Sequence, residues 1–543
     1  MMWQKYFVLL VILIPAPLQA AEEASASKAF ELTKPYLLLP IKTGEKPTRI
    51  SVVIDGNVVR EFDAELAPSN DVTFWAFLDV TQFHGKRATV KARTTDQTLE
   101  QVVQADNIPS PSKPYEEALR PQFHFSQRVG WNNDPNGLVY YDGQWHLYFQ
   151  HNPYGWNWGN MHWGHAVSRD LVHWEQLPIA IYNHQYGDWA FSGGALVDER
   201  NAAGWQRGKE KVIVASYTST GRGECLAYSN DRGKTFVEFE GNPVVRHTGR
   251  DPKIIWFEPG QHWVMAVYDE PDQHNQRIAF YSSNDLKQWK LESTLPGYFE
   301  CPEIFELPVD GDQKNTRWVV FAADAKYALG KFDGKTFVPD QEGKYQLHFG
   351  PYYASQTFSD APDGRRIQIG WAKIDMPGMP FNQTFSFPHE LTLRTTTDGI
   401  RMFAEPVREI ETIHRKRHAA TNEKLTPSKP FRLDVAGELF DARATFAIGS
   451  AGQVGLDIGG NRIIYNTETK ELNGAKLEPV DGKITLQVLV DRPLIEICGN
   501  KGRVTITSPR TTHGNVANIL AFADGGDATL INLEVHELTS IWK

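Results

Sequence analysis

Apolar and polar positions along this chain alternate in short runs broken by Gly, Pro, Asn and Asp, a period-2 pattern that predicts strands rather than helices. Between residues 36 and 105, Arg49-Ile50-Ser51-Val52-Val53-Ile54 and Asn57-Val58-Val59 flank Asp55-Gly56, a hairpin signal, and residues 72–77 and 88–92 add further strands. This predicts a small β-sandwich-like domain over 30–108. It closes at Asn107-Ile108-Pro109-Ser110-Pro111-Ser112-Lys113-Pro114, a stiff Pro/Ser linker.

The next part of the chain repeats itself. Ser168-Arg169-Asp170-Leu171-Val172-His173-Trp174 is echoed by Ser283-Asn284-Asp285-Leu286-Lys287-Gln288-Trp289, with a looser copy at 229–236 and a degraded one at 332–337. A unit of about 55–60 residues holding several short strands and a turn near its end is one blade of a β-propeller, and roughly 275 residues make five blades. The propeller is therefore expected over 118–398. Glu405, Pro406, Val407, Ile410 and Ile413 suggest a short linking helix, and alternation returns at 443–448, 454–458, 484–490 and 504–507, which predicts a C-terminal β-sandwich over 420–543. The fold class is all-β: a five-bladed propeller, then a sandwich, with an additional small N-terminal β domain.

Composition narrows the function. The chain is 41% hydrophobic and 12% aromatic, with 43 Gly and 32 Pro spread along its 543 residues, as expected of a folded protein of short strands. Its net charge of −10 argues against nucleic acid or an anionic membrane surface and suits a neutral substrate. Lys5, the apolar run 7–14 and the small residues near Ala20 and Ala21 have the layout of a signal peptide over 1–21, so export to the periplasm or beyond the cell is expected, with no membrane insertion after cleavage. Three distant cysteines, Cys225, Cys301 and Cys498, give neither a disulfide framework nor a zinc site. His162 and His165 would point to opposite faces of a strand, so no metal and no cofactor are expected.

Candidate chemistry gathers at Trp131-Asn132-Asn133-Asp134-Pro135-Asn136-Gly137, which reads as a turn carrying a carboxylate just before the strand-like Leu138-Val139-Tyr140-Tyr141. Trp145, Tyr148, Phe149, Trp156, Trp158 and Trp163 follow, with Gln150 and Asn152, a mixture of flat apolar faces and amides that suits a sugar. Two further carboxylates stand out, Asp251 in Arg250-Asp251-Pro252 and Glu300 in Glu300-Cys301-Pro302, which with Asp134 puts one in each of three successive repeat units. If blades start near the propeller axis, all three meet in one central depression. Paired carboxylates without a metal are the equipment of glycoside hydrolysis, with a gap of about 5 Å for a retaining enzyme. By local sequence Glu300, between Phe299 and Cys301, has the more apolar setting and fits the protonated partner.

These three motifs, in this order, resemble glycoside hydrolase family 32, the fructan hydrolases and invertases. Phe149-Gln150-His151-Asn152-Pro153, Trp158-Gly159-Asn160-Met161-His162-Trp163-Gly164-His165, Phe191-Ser192-Gly193-Gly194 and Asp491-Arg492-Pro493 with the residues after it extend the likeness over about 120–543. The resemblance implies Asp134 as nucleophile, Glu300 as general acid and base, and Asp251 as transition-state stabiliser. It implies Asn133, Gln150, Trp158, Phe191, Ser192, Arg250 and Trp371 as substrate-binding residues. The expected activity is release of fructose from β-linked fructans such as levan or inulin, from chain ends and with retention, sucrose being a further substrate. A sucrose-specific invertase, a transfructosylating enzyme and a silent fructan-binding protein are the alternatives. Linkage preference, chain-end versus internal attack, activity on sucrose, oligomeric state and the task of the N-terminal domain are not legible.

Overall fold

The computed structural model describes residues 26–94, 96–107, 115–272 and 274–542. The signal-like residues 1–21 and the linker residues 108–114 lie outside the described residues. Nearly all regular structure is strand, as the alternation predicts.

The N-terminal unit is two small sheets face to face. The strands Ala26–Glu31, Arg87–Ala92, Thr48–Ile54 and Asn57–Ala64 form one in that spatial order, and Phe74–Asp79, Tyr36–Ile41 and Val103–Ala105 the other. Asp55 and Gly56 both take positive φ (51° and 81°), the primed turn that matches strand twist, so the predicted hairpin is present. Val129 and Tyr154 of the next unit pack into this core.

The middle of the chain is a five-bladed propeller. Blades one to three are built on Gly130–Tyr141, Ala195–Asp198 and Arg250–Phe257 as innermost strands, each followed outward by antiparallel neighbours. The fourth starts at Glu303–Val309 and the fifth at Tyr352–Thr357. A short parallel pairing, Phe381–Asn382 on Gly130 and Trp131, ties the last blade to the first and closes the ring.

The sequence repeat is the turn between the third and outermost strands. In blade one Asp170 Oδ1 accepts from the Val172 and His173 amides (3.0 and 2.8 Å) and Trp174 Nε1 donates to Leu171 O (3.0 Å). Blade three repeats this with Asp285, Lys287, Gln288 and Trp289, and Leu171 and Leu286 both have φ of 64°. Asp231 and Asp333 serve the same turn in blades two and four. Asp-to-amide bonds replace the ladder where the strand must reverse, which is why the Asp recurs in all four turns while the Ser before it is absent from the fourth.

Residues 399–416 depart from the expected linking helix. Gly399–Pro406 is a strand paired with His389–Thr396, only Arg408–Ile413 is helical, as a 3-10 segment, and His414–Leu425 is again a strand. Apolar Val407, Ile410 and Ile413 fit a tight three-residue period as well as an α-helical one. The C-terminal part is a sandwich of a seven-stranded and a six-stranded sheet around a core that includes Phe440, Leu456, Val488 and Leu533.

Candidate active site

The stretch 131–137 is a strand and not the expected turn. Gly130–Tyr141 pairs with Gln144–Asn152, but the register slips between Asn132 and Pro135 and again between Asn136 and Val139. These bulges leave Asn133 and Asp134 without cross-strand partners and turn them toward the axis, and they place Pro135 where a ladder amide is not needed. Gly137 has φ of 53°, and a Cβ there would lie 2.7 Å from the Trp163 ring and 2.8 Å from Tyr148. Turn residues thus serve as bulge residues.

The same device places the other carboxylates. Register slips between Arg250 and Lys253, and Asp251 holds φ of 68°. Glu300 and Cys301, just before the fourth blade's inner strand, have φ of 52° and 43°. Non-glycine residues rarely take this left-handed conformation, and three of them at one site store backbone strain where the chemistry is. Asp134, Asp251 and Glu300 belong to blades one, three and four, not to successive blades. The second blade contributes Phe191 and Ser192 instead.

Every residue expected to catalyse or to bind substrate lines one cavity of about 190 Å³: Asn133, Asp134, Gln150, Trp158, Phe191, Ser192, Arg250, Asp251, Glu300 and Trp371. Of the other residues whose character suited a sugar, Trp145, Tyr148, Phe149, Trp156 and Trp163 pack into hydrophobic cores instead, and Asn152 does not line the cavity. Asp134 accepts from Ser192 Oγ (2.6 Å) and Asn133 Nδ2 (3.1 Å). Trp131 Nε1 donates to Asn133 Oδ1 (3.0 Å) and so fixes that amide. Asp251 Oδ2 accepts from the Cys301 amide (3.0 Å), while its own amide donates to Thr218 Oγ1 (2.9 Å). The Cys301 thiol sits between the two aspartates, 3.7 Å from Asp134 and 3.6 Å from Asp251. At the aromatic rim Trp158, 54% exposed, meets Phe191 edge-on, and Trp371 Nε1 donates to Gln383 Oε1 (3.1 Å).

Burial dominates the electrostatics. It lifts the Asp134 carboxyl to about 6, against the hydrogen bonds of Ser192 and Asn133 and with the added repulsion of Glu300. Asp251 is lifted to about 8 by burial, then by the negative charges of Glu300 and Asp134. Burial beside these acids pushes the Cys301 thiol far up, so it remains an uncharged filler.

Glu300 does not occupy the apolar setting its sequence neighbours suggest. Its side chain is 23% exposed, Oε1 accepts from Arg250 Nε and Nη2 (2.9 and 2.7 Å), and Oε2 accepts from Tyr353 OH (2.7 Å). Phe299 packs instead on Tyr268, edge-on at 5.2 Å, and under the Arg250 guanidinium at 5.5 Å. The positive φ at Glu300 turns the two neighbouring side chains away from one another. Tyr353 is the lining residue that sequence reasoning missed. Its available signal was position, since it stands at the inner strand of the fifth blade, as Asp134 does in the first.

Among the described residues no group of His, Cys, Asp and Glu is arranged to hold a metal ion. Three carboxylates, one guanidinium and a ring of amides and aromatics can bind a polyhydroxylated ring and supply a nucleophile, a proton and a charged neighbour.

Comparison with known proteins decides the family. The model of the glycosyl hydrolases family 32 N-terminal domain matches residues 124–406, and that of the family 32 C-terminal domain matches 405–537. The chain belongs to glycoside hydrolase family 32. This family 32 hydrolase is 36% identical to a levanase of Bacillus subtilis (strain 168) over 490 residues, 79% of this chain and 72% of the levanase. It superposes on the crystal structure of an exo-inulinase from Aspergillus awamori with a TM-score of 0.72 at 26% identity, covering 79% of this chain and all of the other. A fructofuranosidase variant from Schwanniomyces occidentalis, complexed with fructosylnystose, matches with a TM-score of 0.71 at 28% identity over 79% and 99% of the two chains.

Proposed function

We propose that this hydrolase is an exported, retaining β-fructosidase that frees fructose one unit at a time from the ends of β-linked fructans and also accepts sucrose. The observation that carries the reading is the convergence of Asp134, Asp251 and Glu300, from three blades, on one small cavity. Its volume, about 190 Å³, is below the 300–1,000 Å³ of pockets for larger ligands, which favours one terminal sugar ring over an internal stretch of polymer.

In the proposed reaction Asp134 attacks the anomeric carbon as the bond to the leaving oxygen breaks. Glu300 gives that oxygen its proton, and a fructosyl ester on Asp134 results. Water, losing a proton to Glu300, then attacks the same carbon and releases the Asp134 carboxylate, so two inversions give net retention. Arg250 and Tyr353 hold Glu300 from two sides, which fixes its direction as it changes from acid to base. Asp251 faces the sugar hydroxyls and stabilises the developing oxocarbenium charge. Burial and the charges of Glu300 and Asp134 raise the Asp251 carboxyl to about 8, so it is protonated at neutral pH in the empty site.

The purified protein should release free fructose from levan, inulin and sucrose, with no ladder of oligomers from the polymers at early times. Absence of fructose from all three substrates would refute the β-fructosidase reading; an early ladder would refute chain-end attack. The export part rests on the signal-like residues 1–21, and protein retained in the cytoplasm of its host would overturn it.

A further inference from the structure

Neither family 32 model reaches the N-terminal unit of residues 26–107. We propose that this unit is a positioning element for the sugar pocket, acting through the strand Asn57–Ala64 on the two loops that carry Trp158 and lead to Phe191. The proposal rests on the β-fructosidase reading above.

Asn57–Ala64 is the edge strand of its sheet, paired on one side only with Thr48–Ile54. An edge strand leaves amides and carbonyls that must find partners. At Asp63 that partner is a side chain of the propeller: the Asp63 amide donates to Asn160 Oδ1 (2.9 Å), and Asn160 Nδ2 donates to Asp63 O (2.8 Å). The carboxamide thus pairs with the strand as another backbone would. Asn160 is buried, at 5% exposure, and its Nδ2 also donates to Asn152 Oδ1 (3.0 Å). Asn152 in turn accepts from the Tyr154 amide (3.1 Å) and donates to Asn157 O (2.8 Å). The preceding strand residue, Phe62, stacks on Tyr154 with centroids 3.7 Å apart. Loop 153–161 is therefore gripped at its start by Phe62 and at its end by Asp63. Trp158 stands between the two grips.

The second loop is held by the same residue. Asp63 Oδ2 accepts from Tyr186 OH (2.8 Å), and the Arg49 guanidinium lies 3.4 Å from the centre of the Tyr186 ring. Tyr186 meets Trp189 edge-on at 5.6 Å, two residues before Phe191. Arg60 covers Tyr182 at 3.6 Å, at the start of that loop. Trp158 and Phe191 touch edge-on at 6.0 Å, so both loops deliver one wall of the pocket. A mere stabilising cap would need only the apolar contacts; polar bonds aimed at the roots of both aromatic-bearing loops set where that wall stands. Neither Asp63 nor Asn160 lines the cavity, so each acts through the loops and not on the sugar.

The test uses the full chain with Asn160→Ala, Asp63→Ala and Tyr186→Phe, the last removing only a hydroxyl. KM and kcat are measured on sucrose and on inulin, together with Tm. Asn160→Ala should raise KM about five- to tenfold with kcat within about twofold, and Asp63→Ala and Tyr186→Phe should each raise KM about two- to threefold. Because Asp63→Ala and Tyr186→Phe break the same bond, the double variant should be no worse than the poorer single one. If Asn160→Ala fails to fold, the other two decide. Unchanged KM with lowered Tm would overturn the proposal and leave the unit a stabilising cap, as would a fall in kcat with KM unchanged. A parent protein inactive on levan as well as on sucrose and inulin would instead overturn the β-fructosidase reading.

Discussion

Asp134 and Asp251 are both lifted by burial. The nucleophile must be ionised, which fails as pH falls through about 6, so a plot of kcat/KM against pH should show an acid limb near that value. Asp134→Asn should cost about four orders of magnitude in kcat, and near-normal turnover would dismiss Asp134 as nucleophile. Stability moves the other way. A carboxyl whose folded pKa is raised favours the fold below its unfolded pKa and loses that contribution as pH rises through the folded value. Asp251→Asn should therefore melt at a higher temperature than the parent above pH 8, by roughly a few degrees, with the gap closing toward pH 4; thermal scans over pH read this directly. Asp251 and Arg250 were legible as a pair in the sequence, yet the partner of Arg250 is Glu300, because the strained backbone at 251 and 300 sends adjacent side chains apart.

At the scale of the element, legibility followed the source of each signal. The repeat could be read because one local bonding pattern needs its Asp in four blades and the Ser two residues before it in three. Residues 131–137 were misread because Asn, Pro and Gly serve a bulge as well as a turn, and only the register against Gln144–Asn152 separates the two. Tyr353 carried no local motif and is selected solely by its place in the ring. The turns should also be measurable units of stability. In Asp285→Ala the Lys287 and Gln288 amides lose a charged acceptor, and unfolding in urea should show a loss of about 1–2 kcal/mol. No change would mean that Leu286 and Trp289 hold the turn without it.

Across the whole molecule, propeller and sandwich are joined by a buried charged cluster. Asp491, in the sandwich, accepts from the amides of Gln122, Phe123 and His124 (2.7, 3.0 and 3.2 Å) and from His124 Nδ1 (2.8 Å). Its bonds to His124 and to these amides outweigh burial and hold its carboxyl below the usual range, while Asp491 and Glu496 raise His124 to about 9. The His124 contribution is complete below its unfolded pKa and is lost as pH rises through about 9; that of Asp491 is lost as pH falls through its depressed value. Asp491→Ala should destabilise by about 3–5 kcal/mol and split a single calorimetric transition into two. One unsplit transition would show that apolar contacts alone couple the two parts. The ring itself closes through the two-residue pairing of Phe381–Asn382 with Gly130 and Trp131, between positions some 250 residues apart along the chain. That clasp makes the pocket the last thing the propeller completes: its nucleophile stands in the first blade and its Trp371 wall in the last, so a chain cut short of the fifth blade owns no pocket.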